Sequence, residues 1–357
     1  MTIQISVIVP TRNRSSALAS CLASLAQQTL AADAFEVIVV DNGSEDSTKE
    51  VVAQAVAAYP RHSIRYLLEN VPGLLSGRHR GAMAAAGEIL VFIDDDIEAS
   101  QDWLAALANP YVDEEVHLVG GRSLPTYETT APEWLVDYTW PTPYGGSHCT
   151  LLSLIDLGDQ VIDIHPNYIF GLNFSIRKRN FRKLGGFHPD GVPSSLQHFR
   201  GDGETGLTEK ARSEKFRAVY QPKALVYHLV GRERMTPEYF ETRCFNQGVS
   251  DSYSAIRRSV KKSVFGRKSA WLRRRYAAEY LREAPDPVAP DVLGVGRYSS
   301  RLSAAYVQGY RFHMECARGC KAILDWILKD DYFIYQYPRL SDAEALRVRA
   351  LRAQLAA

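Results

Sequence analysis

Three consecutive aspartates, Asp94-Asp95-Asp96, follow directly on the apolar run Glu88 to Ile93. Carboxylates at the end of a buried strand are costly unless water or a cation compensates them. Asp41 stands at the same end of another apolar run, Phe35 to Val40, and Thr11-Arg12-Asn13 at the end of Ile5 to Val9. Hard divalent cations select oxygen ligands, and Mg²⁺ usually takes one or two protein carboxylates with substrate phosphates completing its shell. Such a set could hold a metal and a phosphorylated ligand. The plain alternative is an acidic, solvated turn. A calcium loop of the EF-hand kind is excluded, because its glycine and glutamate pattern is missing. A second acidic stretch, Gly201-Asp202-Gly203-Glu204-Thr205-Gly206-Leu207, pairs carboxylates with glycines; its alternative is an acid-rich helix N-terminus.

The elements that must position these groups alternate between strand and helix. Ala17 to Gln28 carries Leu18, Leu22 and Leu25 at helical spacing; Thr48 to Tyr59 and Leu75 to Ala86 also read as helices. Ile64 to Leu68 reads as a third strand. Strands separated by helices predict a parallel sheet with helices on its faces, and continuous apolar strands suit a sheet buried on both sides. Ligands then bind beyond the carboxyl ends of the strands, where the polar groups gather. Glycine, proline and tyrosine crowd Gly120 to Gly146, which predicts loops over the sheet. Tyr168 to Ile176 and Phe216 to His228 contain further strands. Beyond Thr236 the chain reads as mostly helical, with a break at Pro285, Pro287 and Pro290 and helices over Ser299 to Leu328 and Ser341 to Ala356.

The motifs, taken in order, resemble family 2 glycosyltransferases. The matching pieces are Ser6-Val7-Ile8-Val9-Pro10-Thr11-Arg12-Asn13-Arg14, then Val39-Val40-Asp41-Asn42-Gly43-Ser44 with Glu45-Asp46-Ser47-Thr48. Asn70, Gly73, Arg78, Gly81, Ala86-Gly87-Glu88 and Phe92-Ile93-Asp94-Asp95-Asp96 continue the series. Gly171-Leu172-Asn173-Phe174-Ser175-Ile176-Arg177 and Lys183-Leu184-Gly185-Gly186-Phe187 complete it. The resemblance covers about residues 3 to 250. It implies an α/β, Rossmann-like, mostly parallel sheet of the GT-A type with a helical C-terminal extension. Residues 1–235 would be the catalytic domain, with 1–120 binding the nucleotide-sugar and 121–235 the acceptor, and 236–357 the helical region.

The resemblance also implies roles. Pro10, Thr11 and Arg12 would line the base pocket, Asp41 would bond the base or ribose, and Arg78 would stand near the ribose or the acidic motif. Asp94, Asp95 and Asp96 resemble the Asp-x-Asp motif, where a metal joins protein to donor diphosphate; Asp96 is the first choice as direct ligand, with Asp94 beside it. Glu204 falls, by its spacing to Leu207, where the family carries its catalytic base. Asp202 is displaced by Gly203 and stands as the alternative base or an acceptor partner. His228, after the strand Ala224 to Tyr227, would complete the metal site. The implied activity is inverting transfer, of hexosyltransferase type, from a nucleotide-diphosphate sugar to a hydroxyl of a glycan or lipid-linked glycan. A UDP-sugar is the first donor to consider, Mn²⁺ or Mg²⁺ the cofactor, and polysaccharide or glycolipid assembly the setting. Arg232 to Thr236 reads as a mobile loop from which Arg232 or Arg234 could reach the diphosphate.

Composition bounds the rest. The 357 residues are 46% hydrophobic and 23% charged, with a formal net charge of +1, so no global field recruits nucleic acid. The five cysteines are odd in number and form no Cys-x-x-Cys pair, which fits a reducing, cytoplasmic compartment. The first residues carry no signal pattern, and no apolar run approaches the ~18 residues of a membrane span. Arg257 to Arg275 holds nine basic and no acidic residues, interleaved with Phe265 and Trp271. That leaves open peripheral contact with an anionic membrane, against a plain solvated face. The C-terminal helices leave a homodimer open. His313, Cys316 and Cys320 share a helical face that reads as packing rather than a metal site. His188 reads as a solvated loop histidine or one facing the acceptor. Two rival classes are a sugar nucleotidyltransferase and a non-catalytic carbohydrate-binding protein on the same scaffold. Pro10 to Arg14 lacks the glycine-rich stretch of the first, and the retained acids argue against the second.

Overall fold

A computed structural model describes residues 4–261 and 270–356. The N-terminal third alternates as expected. Strands β1 (Ile5–Thr11), β2 (Phe35–Asp41), β3 (Ser63–Leu68) and β4 (Ile89–Ile93) are separated by helices α1 (Ser15–Ala26), α2 (Thr48–Ala58) and α3 (Leu74–Ala84). β3, β2, β1 and β4 lie side by side in that order, all parallel. The chain steps outward from β1 to β3 and then returns to the other flank of β1. The resulting switch point between β1 and β4 is where doubly wound sheets open a crevice.

Successive residues of the strands feed opposite faces. Val7, Val9, Val37, Val39, Val91 and Ile93 pack with Leu18, Leu22, Leu25 and Val52 from α1 and α2. Ile8, Ile38, Leu90 and Phe92 pack on the other face with Phe174, Phe181, Phe187 and the C-terminal helices. Every residue of β1 and β2 is buried, as a two-sided core requires.

Beyond β4 the short strand β5 (Ile97–Ala99) and helix α4 (Trp103–Ala108) lead into the long strand β6 (Val116–Tyr127). Short strands β7 to β10 (Trp140–Pro141, Ser147–Cys149, Leu154–Asp156, Ile162–Ile164) precede β11 (Asn173–Arg177), α5 (Lys178–Leu184), α6 (Glu204–Ser213) and β12 (Arg217–Val230). β11 sits antiparallel between β4 and β6, while β12 pairs parallel with β6 and antiparallel with β5 and β10. The sheet is thus mostly parallel at its centre and mixed beyond β4.

The loops expected over Gly120 to Gly146 begin only after Tyr127. Gly120 and Gly121 are not turn residues. A Cβ on Gly121 would lie 1.8 Å from the carbonyl oxygen of Ala224, and one on Gly120 2.8 Å from Ile169. Glycine permits close approach within the sheet here.

The C-terminal part is helical: α7 (Pro237–Lys261), α8 (Ala270–Glu283), α9 (Ser299–Gly319), α10 (Lys321–Ile327) and α11 (Asp342–Ala356). The single helix expected from Ser299 to Leu328 breaks at Cys320, whose backbone is extended. His313, Cys316 and Cys320 are buried in the core, and His313 Nδ1 pairs with Ser252 Oγ at 2.9 Å. The core facing β4 and β11 continues through Val249 and Tyr253 of α7 to Trp326 of α10, so packing is continuous across residue 235. No described helix is long and apolar enough to cross a membrane.

The basic segment lies partly outside the described residues, at 262–269. Within them, Arg257 donates to the carbonyls of Ile327 and Lys329, Arg273 to Leu328, and Arg274 pairs with Asp325. These three guanidinium groups hold the end of α10 and the segment after it instead of standing free in solvent.

Candidate active site

β1 ends in Pro10 and Thr11, and the chain then turns through Asn13, whose φ of 53° is left-handed. Asn13 is anchored on the loop after β2: its amide donates to Ser44 Oγ at 2.9 Å and its side-chain oxygen accepts from the Glu45 amide at 2.8 Å. This turn swings Arg14 back over the end of β4. Arg14 Nη1 lies 3.1 Å from Asp95 and 2.6 Å from Asp96, and Thr11 Oγ1 donates to Asp95 at 2.6 Å. Burial, reinforced by the charges of Asp96 and Asp94, pushes the Asp95 carboxyl up to about 6, although Arg14 and Thr11 pull the other way.

β5 aligns His228 of β12 opposite Ile97, and the Leu229 amide donates to the Asp96 carbonyl at 2.9 Å. That register sets His228 Nε2 3.5 Å from Asp96 Oδ1. The His228 Nδ1–H donates to the carbonyl of Leu152 at 2.9 Å, which turns the Nε2 lone pair toward the acids. Arg234, in the turn after β12, fills the gap: Nη1 donates to His228 Nε2 at 2.7 Å and Nη2 to Asp96 at 2.6 Å. Burial alone would raise the Asp96 carboxyl. The Arg234 and Arg14 guanidinium groups on its Oδ2 outweigh it and hold the group below the usual carboxylate range.

Asp96 and His228 therefore already surround a cation, the Arg234 guanidinium, and Asp96 Oδ1 is buried without a hydrogen-bond partner. This donor pair suits a divalent ion with substrate phosphates completing the shell. Among the described residues, no group of three or more acidic, histidine or cysteine side chains is arranged to hold a metal. Asp94, the other expected ligand, faces Arg78 at 3.2 Å.

A cleft of about 370 Å³ opens at the switch point, lined by Pro10, Thr11, Arg12, Asp94 and Asp95, with Gly73 and Val192 opposite. Arg14 and Arg234 line this cleft and a second one that contains Asp96. Asp41 ends β2 at the same edge of the sheet as the cleft. It does not line the cleft, and its oxygens accept from the Ser44 amide at 2.8 Å and from Tyr66 Oη at 2.7 Å. Its neighbour Asn42 does reach the cleft wall and accepts from the Gly73 amide at 2.8 Å.

Arg78, buried on α3, joins two regions. Its Nη2 lies 3.2 Å from Asp94 and its Nη1 3.6 Å from Glu204. Gly171 makes room for it, since a Cβ there would stand 2.6 Å from Nη2. Glu204 opens α6 and accepts from the Gly171 amide at 3.3 Å. It lines a separate polar pocket of about 160 Å³.

Asp202 also borders that pocket, but its oxygens are taken by His188 Nδ1 at 2.6 Å and Ser254 Oγ at 2.5 Å. Glu204 is the freer of the two carboxylates to face a ligand. His188 is not a solvated loop residue. It is buried between Tyr253 and Tyr332, and burial lowers its imidazole to about 4, so it donates to Asp202 as a neutral ring. Arg14, Asn42 and His188 are site or supporting residues to which motif reading gave no such part. The left-handed turn at Asn13 is the signal for Arg14; His188 has none nearby in sequence.

The sequence model of Glycosyl transferase family 2 matches residues 6–185, half of the chain. The chain belongs to glycosyl transferase family 2. Similar curated proteins include the glycosyltransferase AglE of Haloferax volcanii, 36% identical over 124 residues, which are 34% of this chain and 40% of AglE. The validoxylamine A glucosyltransferase of Streptomyces hygroscopicus subsp. jinggangensis is 38% identical over 112 residues, 30% of this chain and 26% of that enzyme. The chain thus spans well under half the length of these relatives. Among solved structures, the mannosyltransferase PcManGT of Pyrobaculum calidifontis, in complex with GDP-Man and Mn²⁺, shares the fold. Its TM-score is 0.52 at 18% identity, over 87% of this chain and 86% of that one. The fold of this family member is accordingly GT-A.

Proposed function

We propose that the chain transfers a sugar from a nucleoside-diphosphate sugar to an acceptor hydroxyl, with inversion at the anomeric carbon. The observation that carries this reading is Arg78, which touches Asp94 at the switch-point cleft and Glu204 at the polar pocket. One buried guanidinium thereby couples a nucleotide-side acid to a candidate base. Pro10, Thr11, Arg12 and Asn42 would frame the nucleoside. Arg14 and Arg234 would turn from the acids to the diphosphate, whose oxygens suit guanidinium forks. Asp96 and His228 would hold Mn²⁺ or Mg²⁺, which when bound would neutralise charge on the departing diphosphate.

Glu204 accepts the proton of the acceptor hydroxyl while that oxygen attacks the anomeric carbon from the face opposite the diphosphate. The bond from that carbon to the diphosphate oxygen breaks, and a nucleoside diphosphate leaves. Asp202 and His188 support the start of α6 rather than take part in proton transfer. Residues 1–235 would carry the reaction and 236–357 shape the acceptor end. Five free, buried cysteines support action in a reducing, cytoplasmic setting. Glycan or lipid-linked glycan acceptors, peripheral membrane contact and dimerisation belong to the same proposal.

The test is a thermal-shift panel of UDP- and GDP-sugars with and without Mn²⁺, since a ligand of the folded state raises its melting temperature. NMR of the product formed from the stabilising donor then follows. The reading expects a released nucleoside diphosphate and an inverted anomeric configuration. Released pyrophosphate or retained configuration would overturn it.

A further inference from the structure

The polar pocket beside Glu204 is walled on one side by α7. Arg243, Asn246, Gln247, Ser250 and Asp251 recur there at one-turn and two-turn spacing and all line the pocket. Arg200 lines it too, 8% exposed. The acids in this pocket each have a donor. Asp190 pairs with Arg200, Asp202 receives His188 and Ser254, and Glu204 faces Arg78. Asp251 accepts from Tyr306 at 2.8 Å and from Gln247 at 2.9 Å.

Arg243 is not matched in the same way. Among the described residues, no carboxylate or carbonyl accepts from the Arg243 guanidinium, and its Nε is buried without a partner. The Nε of Arg200 is likewise buried and unpartnered. Arg243 is half-buried and its charge bears on Asp190, yet its guanidinium keeps donors that a ligand carboxylate or phosphate is suited to accept from.

We propose that this pocket binds an acceptor bearing an anionic group, a carboxylate or a phosphate, held by Arg243 with Arg200 as second donor. The anion sits beside the hydroxyl that faces Glu204. The proposal rests on the glycosyl-transfer reading and adds the chemical class of the acceptor to it. Asn246, Gln247 and Ser250 supply neutral hydrogen bonds for the surrounding hydroxyls. A neutral sugar would leave Arg243 unpaired.

The test is ligand-observed NMR on the full chain with methyl β-D-glucuronide, glucose 6-phosphate and methyl β-D-glucoside. At least one anionic probe should bind about tenfold more tightly than the neutral glucoside, in keeping with a charge-assisted hydrogen bond. The better of the two tells carboxylate from phosphate. Arg243→Gln should abolish that preference while nucleotide-sugar affinity, measured on the same samples, stays at the wild-type value. Equal binding of all three probes by the wild type overturns the proposal, as does a preference that survives in Arg243→Gln. An Arg243-dependent preference in a chain that binds no nucleotide-sugar overturns the glycosyl-transfer reading instead, and with it the assignment of the anion to an acceptor.

Discussion

Replacing Glu204 with glutamine separates chemistry from binding. Glutamine keeps the shape, and its side-chain oxygen can still accept from the Gly171 amide, now at 3.3 Å from Glu204. The charge facing Arg78 at 3.6 Å is lost. That contact is beyond hydrogen-bond length and the Glu204 side chain is 29% exposed, so its loss should cost at most about 1 kcal/mol of stability. Glu204 does not line the switch-point cleft, so donor affinity should stay within about threefold of wild type, or under ~1 kcal/mol. A positioned general base contributes roughly 10²- to 10⁴-fold to rate, and Glu204→Gln should lose transfer by that factor. Calorimetry gives donor affinity, and chromatographic detection of product under saturating donor gives turnover. Transfer within about threefold of wild type, with donor affinity intact, would refute Glu204 as the base.

Other expectations follow from the same contacts. Burial lowers His188 to about 4 and His79 to about 3 from 6.5, so the unfolded chain binds more protons below pH 6.5. Stability present above pH 6.5 should fall steadily as pH drops toward 4, by on the order of 3 kcal/mol from His188 alone; a flat urea-midpoint profile over that window would count against it. Gly171→Ala would put a Cβ 2.6 Å from Arg78 Nη2 and should reduce transfer at least tenfold by displacing Arg78. Unchanged kinetics would show that Arg78 is not needed where it lies. Tyr335→Phe removes the 2.6 Å bond to buried Glu69 and should cost about 1–2 kcal/mol in chemical denaturation, testing how the C-terminal segment is anchored beside the switch-point cleft.

The part of the fold from β1 to β4 was legible because its signals are local. Valine and isoleucine runs in β1, β2 and β4 end in polar residues, and leucines in α1 recur at helical spacing. Strand order then put the aspartates at a crevice. The part beyond β4 was less legible because its decisive contacts are long-range. Gly120 and Gly121 read as turn residues until β12 and Ile169 pass over them. His188 finds Asp202 only through the turn leading to α6, and Ser254 reaches the same carboxylate from α7. Asp41 ended strand β2 as expected, yet Tyr66 from β3 satisfies it, and no single-strand pattern reveals a neighbour. The polar stripe of α7 has ordinary helical spacing, and only the tertiary fold shows which side faces the pocket.

Most directly at issue is whether Asp96 and His228 serve a cation that grips the donor. Affinity for the stabilising nucleotide-sugar, measured by calorimetry with Mn²⁺ and with chelator, tests this in wild type and in Asp96→Asn. The account predicts that Mn²⁺ strengthens donor binding at least tenfold in the wild type and leaves Asp96→Asn unchanged. Equal gains from Mn²⁺ in both proteins would contradict it.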